Sequence, residues 1–357
     1  MSEKAINIRN LSLEELKAQI TALGEPAFRA RQVYEWIWKK NAQSFTEMAN
    51  IGKALQEKLA SGYFIDGISL EDQQVSSDKT IKCAFSVGGQ SQVIEGVLIP
   101  TRTRTTACIS SQVGCSLACE FCATGRLKML RNLSVGEIVD QVVYIRNLAH
   151  TQYDLSLTNI VYMGMGEPLL NYKNVVRSTE ILSEELGISP RRITVSTAGI
   201  AKMIHKLGDD EVKFNLALSL HAANDGKRSK IMEINDSNNL EALTGALVHF
   251  HQKTGSRVTF EYIIFKDFND TLQDARELAQ FASAVPCKIN IIEYNPIDGG
   301  IYRQADPQRV DDFAAFLEEK CHLIVNVRRS RGKDIDAACG QLANKNKLIE
   351  SRVLKAK

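Results

Sequence analysis

The period of the hydrophobic positions changes twice along the chain. Over the first 65 residues the spacing is helical. Ser12 with Glu15 reads as a capping box, with Leu11 and Leu16 placed as its hydrophobic staple. Gly24 stands where a C-terminal cap would end that helix. Phe28, Val33, Ile37 and Trp38 predict a second helix over 29–40, and a third is expected over 51–60, after a further capping pair, Ser44 and Glu47. Residues 80–87 and 92–99 then read as two strands of a hairpin around Gly88-Gly89.

From residue 105 short apolar runs alternate with helical stretches. Strands are predicted at 106–110, 159–163, 193–196, 214–220, 258–264, 289–293 and 323–327. Helices lie between most of them, one of them over 134–148 behind a capping box of Ser134 and Glu137. Strands that are apolar throughout have both faces covered. Their alternation with helices implies a parallel sheet, with ligand sites at the C-terminal strand ends. The fold class is therefore α/β: a partial (β/α)6 TIM-like barrel with a small N-terminal helical domain and a β-hairpin extension. The divisions fall at 1–65 for the helical accessory domain and 66–100 for linker and hairpin. The barrel with a C-terminal cysteine loop takes 101–345, and a basic, loosely ordered tail takes 346–357.

Composition narrows the class without naming a function. The 357 residues are 44% hydrophobic and 24% charged, the balance of an ordinary globular protein with room for a large core. A net charge of +2 does not announce a nucleic-acid binder, so basic patches have to be judged locally. No apolar run reaches the roughly 20 residues of a membrane span. The polar N-terminus lacks a secretory pattern, and a cytoplasmic location is expected. In that reducing compartment the eight cysteines are ligands or catalysts rather than staples.

Three of them, Cys115, Cys119 and Cys122, form a C-x3-C-x2-C loop with Phe121 before the last. Three thiolates can hold three irons of a 4Fe–4S cluster and leave the fourth iron open to a small ligand. A zinc site is the rival reading, but it wants four Cys or His ligands, and no second C-x2-C or H-x3-H accompanies this loop. Three packing cysteines are the bland reading. The loop follows the first barrel strand, at the rim where ligands bind. Later strands end in Gly164-Met165-Gly166-Glu167-Pro168, Ser196-Thr197-Ala198-Gly199, Ser219-Leu220-His221 and Asn295-Pro296. Singly each is a turn or a structural residue. Together they place small polar groups around one rim, as a nucleoside-like ligand needs, with Glu167 able to accept from an ammonium.

With Phe121, the cysteine loop resembles that of the radical S-adenosylmethionine superfamily. The wider pattern is similar to the RlmN family of dual-specificity RNA adenine-C2 methyltransferases. The matching stretches are Cys108-Ile109-Ser110-Ser111-Gln112-Val113-Gly114-Cys115, Arg131-Asn132-Leu133, Gly164 to Leu169, Ser219-Leu220-His221-Ala222 and Arg331 to Leu342. They span nearly the whole chain. Val113, Pro168 and Arg331 look more like this family than like the related Cfr enzymes, which modify carbon 8 of the same adenine.

The resemblance implies a 4Fe–4S cluster on Cys115, Cys119 and Cys122. It implies two S-adenosylmethionine per turnover, held near Gly166, Glu167, Ser196, Ser219, Leu220, His221 and Asn295. Cys339, in a small-residue stretch suited to a moving loop, would carry the methyl group. Cys108 would close a disulfide with Cys339, and Glu95 would take the proton from carbon 2. The implied substrates are an adenine of 23S rRNA in the peptidyl transferase centre and the adenine next to the anticodon in tRNA. A flavodoxin-type electron donor, a monomeric state and no membrane partner complete the picture. Phosphate contacts are expected among Arg102, Arg104, Arg126, Lys128, Arg131, Arg191, Arg192, Arg328, Arg329 and the N-terminal basic residues. Cys83, Cys287 and Cys321 are left to packing. The rivals are a carbon-8 methyltransferase and a non-catalytic, metal-bearing RNA-binding protein.

Overall fold

The computed structural model describes residues 5–88 and 92–344. The N-terminal module comprises β1 (Ile6–Asn7), α1 (Leu13–Ala22), α2 (Phe28–Trp38), α3 (Lys53–Gly62) and β2 (Tyr63–Phe64), with β1 parallel to β2. The capping box of α1 forms in full. The Ser12 hydroxyl accepts from the Glu15 amide, and the Glu15 carboxylate accepts from the Ser12 amide. Gly24, at φ +80°, ends that helix in the left-handed region that suits glycine. The pair Ser44 and Glu47 does not cap α3. The Ser44 hydroxyl donates to the Glu47 carboxylate instead of accepting from an amide, and a 3-10 turn follows. Gly52 occupies the N-cap position of α3.

A ten-stranded sheet organises the rest. Its first strands are β3 (Ser69–Val75), β4 (Ile81–Val87), β5 (Gln92–Pro100) and β6 (Thr105–Cys108), which pair antiparallel in sequence. A small ribbon, β7 (Gln112–Val113) with β8 (Arg131–Asn132), follows β6. The chain then alternates through α4 (Val135–Tyr153), β9 (Asn159–Tyr162), α5 (Tyr172–Glu184), β10 (Ile193–Thr197), α6 (Ala201–Asp209) and β11 (Asn215–Ser219). It continues through α7 (Asp225–Ile231), α8 (Leu240–Thr254), β12 (Val258–Ile264), α9 (Leu272–Ala282), β13 (Cys287–Glu293), α10 (Pro307–Ala315) and β14 (Val325–Arg328). The strand order is β14-β13-β12-β11-β10-β9-β6-β5-β4-β3, and neighbours from β6 to β14 are parallel. Among the described residues this is six β/α units and a closing strand, an open barrel with β3 and β14 at its edges.

Two features were not foreseen. The hairpin is part of the main sheet, because β5 pairs with β6. The edge strand β3 also went unpredicted, since Ser69-Leu70-Glu71-Asp72-Gln73-Gln74-Val75 carries no apolar alternation and a bulge interrupts its register. The last strand starts at Val325 rather than 323. The tail expected to be loose lies, from residue 345 on, outside the described residues.

Ion pairs dock the helical module on the barrel. Arg9 is fully buried and donates to Asp140 of α4 at 2.7 Å. Arg31 makes a two-pronged bond to Glu185, at 2.8 and 3.0 Å. Arg31 is thereby a docking residue, not a free phosphate contact. Cys83 is buried as expected, whereas Cys287 and Cys321 are half-buried.

Candidate active site

Register places two of the expected groups, and one that was not expected, on one face. Lys82, Val97 and Cys108 stand opposite one another across β4, β5 and β6, and Glu95 lies two residues from Val97. Directly paired residues and i, i+2 neighbours point to the same side of a sheet. Glu95, Cys108 and Lys82 therefore share the barrel interior. All three are buried. Burial pushes the Cys108 thiol up to about 12.

Lys82 carries a signal the sequence reading passed over, the one charge in a mostly apolar strand. Its ammonium lies 3.5 Å from Glu95 Oε1. The other carboxylate oxygen, Oε2, accepts from the amides of Ala343 and Asn344, at 2.8 and 3.1 Å. The segment after Cys339 thus ends on Glu95.

That segment is also tied to the cysteine loop. The Ala123 amide donates to the Gly340 carbonyl at 2.7 Å, and the Thr124 hydroxyl donates to the Leu342 carbonyl at 2.6 Å. The Asn295 amide donates weakly to the Cys339 carbonyl, at 3.4 Å. Cys339 is exposed, and desolvation by the surrounding protein raises its thiol. Arg328 of β14 sits close enough to act electrostatically on both Cys108 and Cys339, and it pairs with Glu261 at 3.3 Å. Arg328 therefore belongs to the barrel interior. Arg131 pairs with Glu137, and Arg329 with Glu293 and Asp311. Arg126 donates to the carbonyls of Asp298 and Gly299, and Arg192 to that of Thr158. The unpartnered members of the expected phosphate set, among the described residues, are Arg102, Arg104, Lys128 and Arg191.

The cysteine loop needs unusual backbone. Gly114 takes φ +78°, and a Cβ there would overlap the Lys128 carbonyl. Cys115, Cys119 and Cys122 are half-buried, and desolvation raises each thiol, Cys115 to about 11. Phe121 packs edge-on against His221, with ring centroids 4.7 Å apart. Among the described residues, only His205, Asp209 and His249 bring three metal-type ligand atoms within 4.8 Å of one another. The three loop sulfurs are spread more widely than a single tetrahedral ion requires, and that suits separate irons of a cluster.

The other rim residues divide into two kinds. Glu167 is structural in part: its carboxylate accepts from the Leu169 and Ala198 amides, at 3.0 and 2.8 Å, and burial raises its pKa. His221 accepts from the Ile263 amide through Nδ1, at 3.0 Å. Burial first, then the Arg228 charge, pushes it down to about 3, so the imidazole is neutral. Leu220 is fully buried, and its carbonyl accepts from Arg228. Arg228, which sequence reasoning missed, also donates to the carbonyls of Ala198 and Ser219 and so fixes the ends of β10 and β11. By contrast, Ser196 and Ser219 face each other at 3.2 Å. Asn295 Oδ1 is buried without a hydrogen-bond partner. Gly166, at φ +94°, closes on Gln112. An orphaned acceptor, two hydroxyls and a glycine turn fit a polar ligand beside the loop.

Comparison with known proteins agrees with this geometry. Residues 6–65 match the ribosomal RNA large subunit methyltransferase N-terminal domain, and residues 109–282 match the radical SAM superfamily. The fold and the cysteine loop define a radical S-adenosylmethionine enzyme, a class that carries a 4Fe–4S cluster and binds S-adenosylmethionine. A probable dual-specificity RNA methyltransferase RlmN of Cytophaga hutchinsonii is 56% identical, over 95% of this chain and 93% of its own length. The dual-specificity RNA methyltransferase RlmN of Nitratidesulfovibrio vulgaris is 44% identical, over 94% of each chain. The crystal structure of a radical SAM methyltransferase from Sphaerobacter thermophilus superposes with a TM-score of 0.87 at 38% identity, covering 94% of this chain and 99% of that one. The chain belongs to the RlmN family of dual-specificity RNA methyltransferases. That membership removes the reading as a non-catalytic RNA binder. Among the described residues no helix is long and apolar enough to cross a membrane.

Proposed function

We propose that this enzyme methylates carbon 2 of an adenine in 23S rRNA and of the adenine next to the anticodon in tRNA. The observation that carries the reading is the convergence of Glu95 and Cys108 on one barrel face with the Cys339 segment, which is itself bonded to the three-cysteine loop. Carbon 2 is an aromatic C–H carbon and a poor nucleophile, so polar methyl transfer to it is disfavoured. Held by Cys115, Cys119 and Cys122, with its ligand near Gly166, Glu167, Ser196, Ser219, Leu220, His221 and Asn295, a cluster with S-adenosylmethionine would supply radical chemistry that a side chain cannot.

The chain's own residues do the rest. Cys339, exposed on the segment bonded to the cysteine loop, carries the methyl group. Glu95 accepts the carbon-2 proton, with Lys82 Nζ 3.5 Å from its carboxylate. Cys108 then attacks the Cys339 sulfur. As the S–S bond forms, the bond from that sulfur to the methylene on the RNA breaks. The methylene keeps the electron pair and takes up a proton to become the methyl group, and a thiol reductant reopens the disulfide before the next round. Closing the disulfide requires the two Cα atoms to approach to about 5.5 Å. Each round consumes two S-adenosylmethionine, one as methyl source and one beside the cluster. Residues 1–65 serve as an RNA-binding accessory domain, 66–100 as linker and hairpin, and 101–345 as the catalytic barrel, ahead of the basic tail. The enzyme acts as a cytoplasmic monomer with a flavodoxin-type donor.

The test is C108A. A stable covalent protein–RNA adduct is expected from that variant, and free, fully methylated RNA would refute the resolving role of Cys108. Mass mapping of the product separates carbon 2 from carbon 8.

A further inference from the structure

The outer layer of the barrel holds a second cluster of chemically capable side chains, far from the rim. His205 and Asp209 lie one turn apart on α6, and His249 lies on the neighbouring α8. His249 Nε2 is 2.8 Å from Asp209 Oδ1, and His205 Nδ1 is 3.3 Å from Asp209 Oδ2. The two imidazoles stack, with centroids 3.5 Å apart and planes 8° from parallel. Each carboxylate oxygen thus has its own ring nitrogen, and all three ligand atoms lie within 4.8 Å of one another.

Two further observations mark this as a built arrangement. The first is steric. Gly208 lets α6 close on α8, because a Cβ there would sit 2.9 Å from His249 Cδ2 and 3.1 Å from the Phe250 Cα. Any larger residue would push His249 away from Asp209. The second is electrostatic. Asp209 is the last residue of α6, at the negative end of the helix dipole, where a carboxylate is disfavoured and a cation favoured. Its neighbour Asp210 is provided for by Lys206 at 3.0 Å and by the Tyr172 hydroxyl. Asp209 has the two histidines alone.

We propose that His205, Asp209 and His249 bind one divalent transition-metal ion of the zinc class, which clamps α6 to α8. Imidazole and carboxylate nitrogens and oxygens bind such an ion at about 2.0–2.2 Å, which sets neighbouring ligand atoms roughly 3.0–3.4 Å apart in tetrahedral or octahedral geometry. The separations of 2.8 and 3.3 Å from Asp209 are close to that range. Because the lone pairs of stacked rings lie in parallel planes, binding one ion turns the exposed His205 ring out of the stack so that its nitrogen converges with that of His249. His205 and Asp209 are each 52% exposed, so water completes the shell. Two imidazoles and one carboxylate select zinc, nickel or cobalt over magnesium or calcium, which prefer all-oxygen shells. Helices of this barrel run back from the rim, so the C-terminal ends of α6 and α8 lie at the opposite face. The ion is therefore separate from the iron–sulfur loop.

The experiment uses cluster-loaded enzyme, so that the loop cysteines are occupied. The protein is dialysed to equilibrium against low-micromolar free zinc, with and without a large excess of magnesium, and zinc is counted beside iron. One zinc per chain is expected, insensitive to magnesium, together with a rise in melting temperature on adding zinc. H249A and H205A should each lose that zinc and the melting shift while keeping their iron content. H249A unfolded by zinc-independent loss of packing would show up as lost iron, and H205A, at the exposed position, then carries the comparison. Absence of bound zinc in the wild type overturns the site, as does equal zinc retention by the H205A/H249A double variant.

Discussion

Replacing Arg9 by Met tests how the helical module is held. Arg9 has no exposed side chain, and its partner Asp140 is 5% exposed. Removing the guanidinium leaves a buried carboxylate without its cation, a loss of about 3–5 kcal/mol for such pairs. Asp140 has one escape, which is to take up a proton. Against an ordinary carboxylate near 3.9, that costs at most about 4 kcal/mol at pH 7 and about 1.5 kcal/mol at pH 5. Burial already raises Asp140 in the wild type, with Arg9 pulling the other way. Loss of Arg9 raises it further. A group whose folded-state pKa is raised stabilises most below its unfolded value, and that stability disappears as pH rises. R9M should therefore lose about 2–3 kcal/mol less at pH 5 than at pH 7. Urea unfolding followed by circular dichroism across that range reads both values. R9M/D140L, which replaces both charges by apolar groups, should recover most of the loss. Equal losses at pH 5 and 7, or a double variant no better than R9M, would refute the account.

Three further outcomes are expected. G166A puts a Cβ 2.5 Å from the Gln112 Cβ at φ +94°; about 1–2 kcal/mol for the backbone and about 1–3 for the overlap should lower the melting temperature and S-adenosylmethionine affinity, checked by calorimetry and equilibrium dialysis. His221, held neutral with its pKa near 3, contributes stability that is full above an unfolded value of about 6.5 and declines as pH falls. Wild type should lose about 2 kcal/mol more than H221N between pH 6.5 and 5, and parallel urea-stability curves would contradict this. Arg102 and Arg104 carry no ion pair among the described residues, so R102A/R104A should reduce the salt slope of RNA binding by about 2. R31A, whose charge is spent on Glu185, should leave that slope unchanged.

What the sequence made legible follows from how far each signal reaches along the chain. Capping boxes span four residues, so Ser12 with Glu15 and Ser134 with Glu137 could be read directly, and both form. Fully apolar strands announced a parallel sheet for the same reason. Ser44 with Glu47 has the right letters, but Gly52 takes the N-cap of α3, because the pattern says nothing about where the next helix turn starts. The edge strand β3 is polar, exposed and bulged, so pairing with β4 creates it rather than its own periodicity. At the site the limit is sharper. Cys108 and Cys339 could be singled out only through resemblance to a family, since spacing cannot say that strand β6 and a loop 231 residues later converge. The bonds that bring them together, Ala123 to Gly340, Thr124 to Leu342, and Glu95 to Ala343 and Asn344, each join segments more than 200 residues apart. Three of these four bonds use a backbone amide as donor, and all but those to Glu95 end on a backbone carbonyl. Such contacts depend on chain path rather than residue type. Lys82 shows the converse: it is the one charge in a mostly apolar strand, and it is buried beside Glu95. Arg228 gave no such signal, because Asp225, Lys227 and Lys230 surround it in α7, yet it is buried and bonded to the carbonyls that shape the rim. A lone charge where a strand should be apolar was the unused signal in this sequence, because burying it is costly unless the fold supplies its partner.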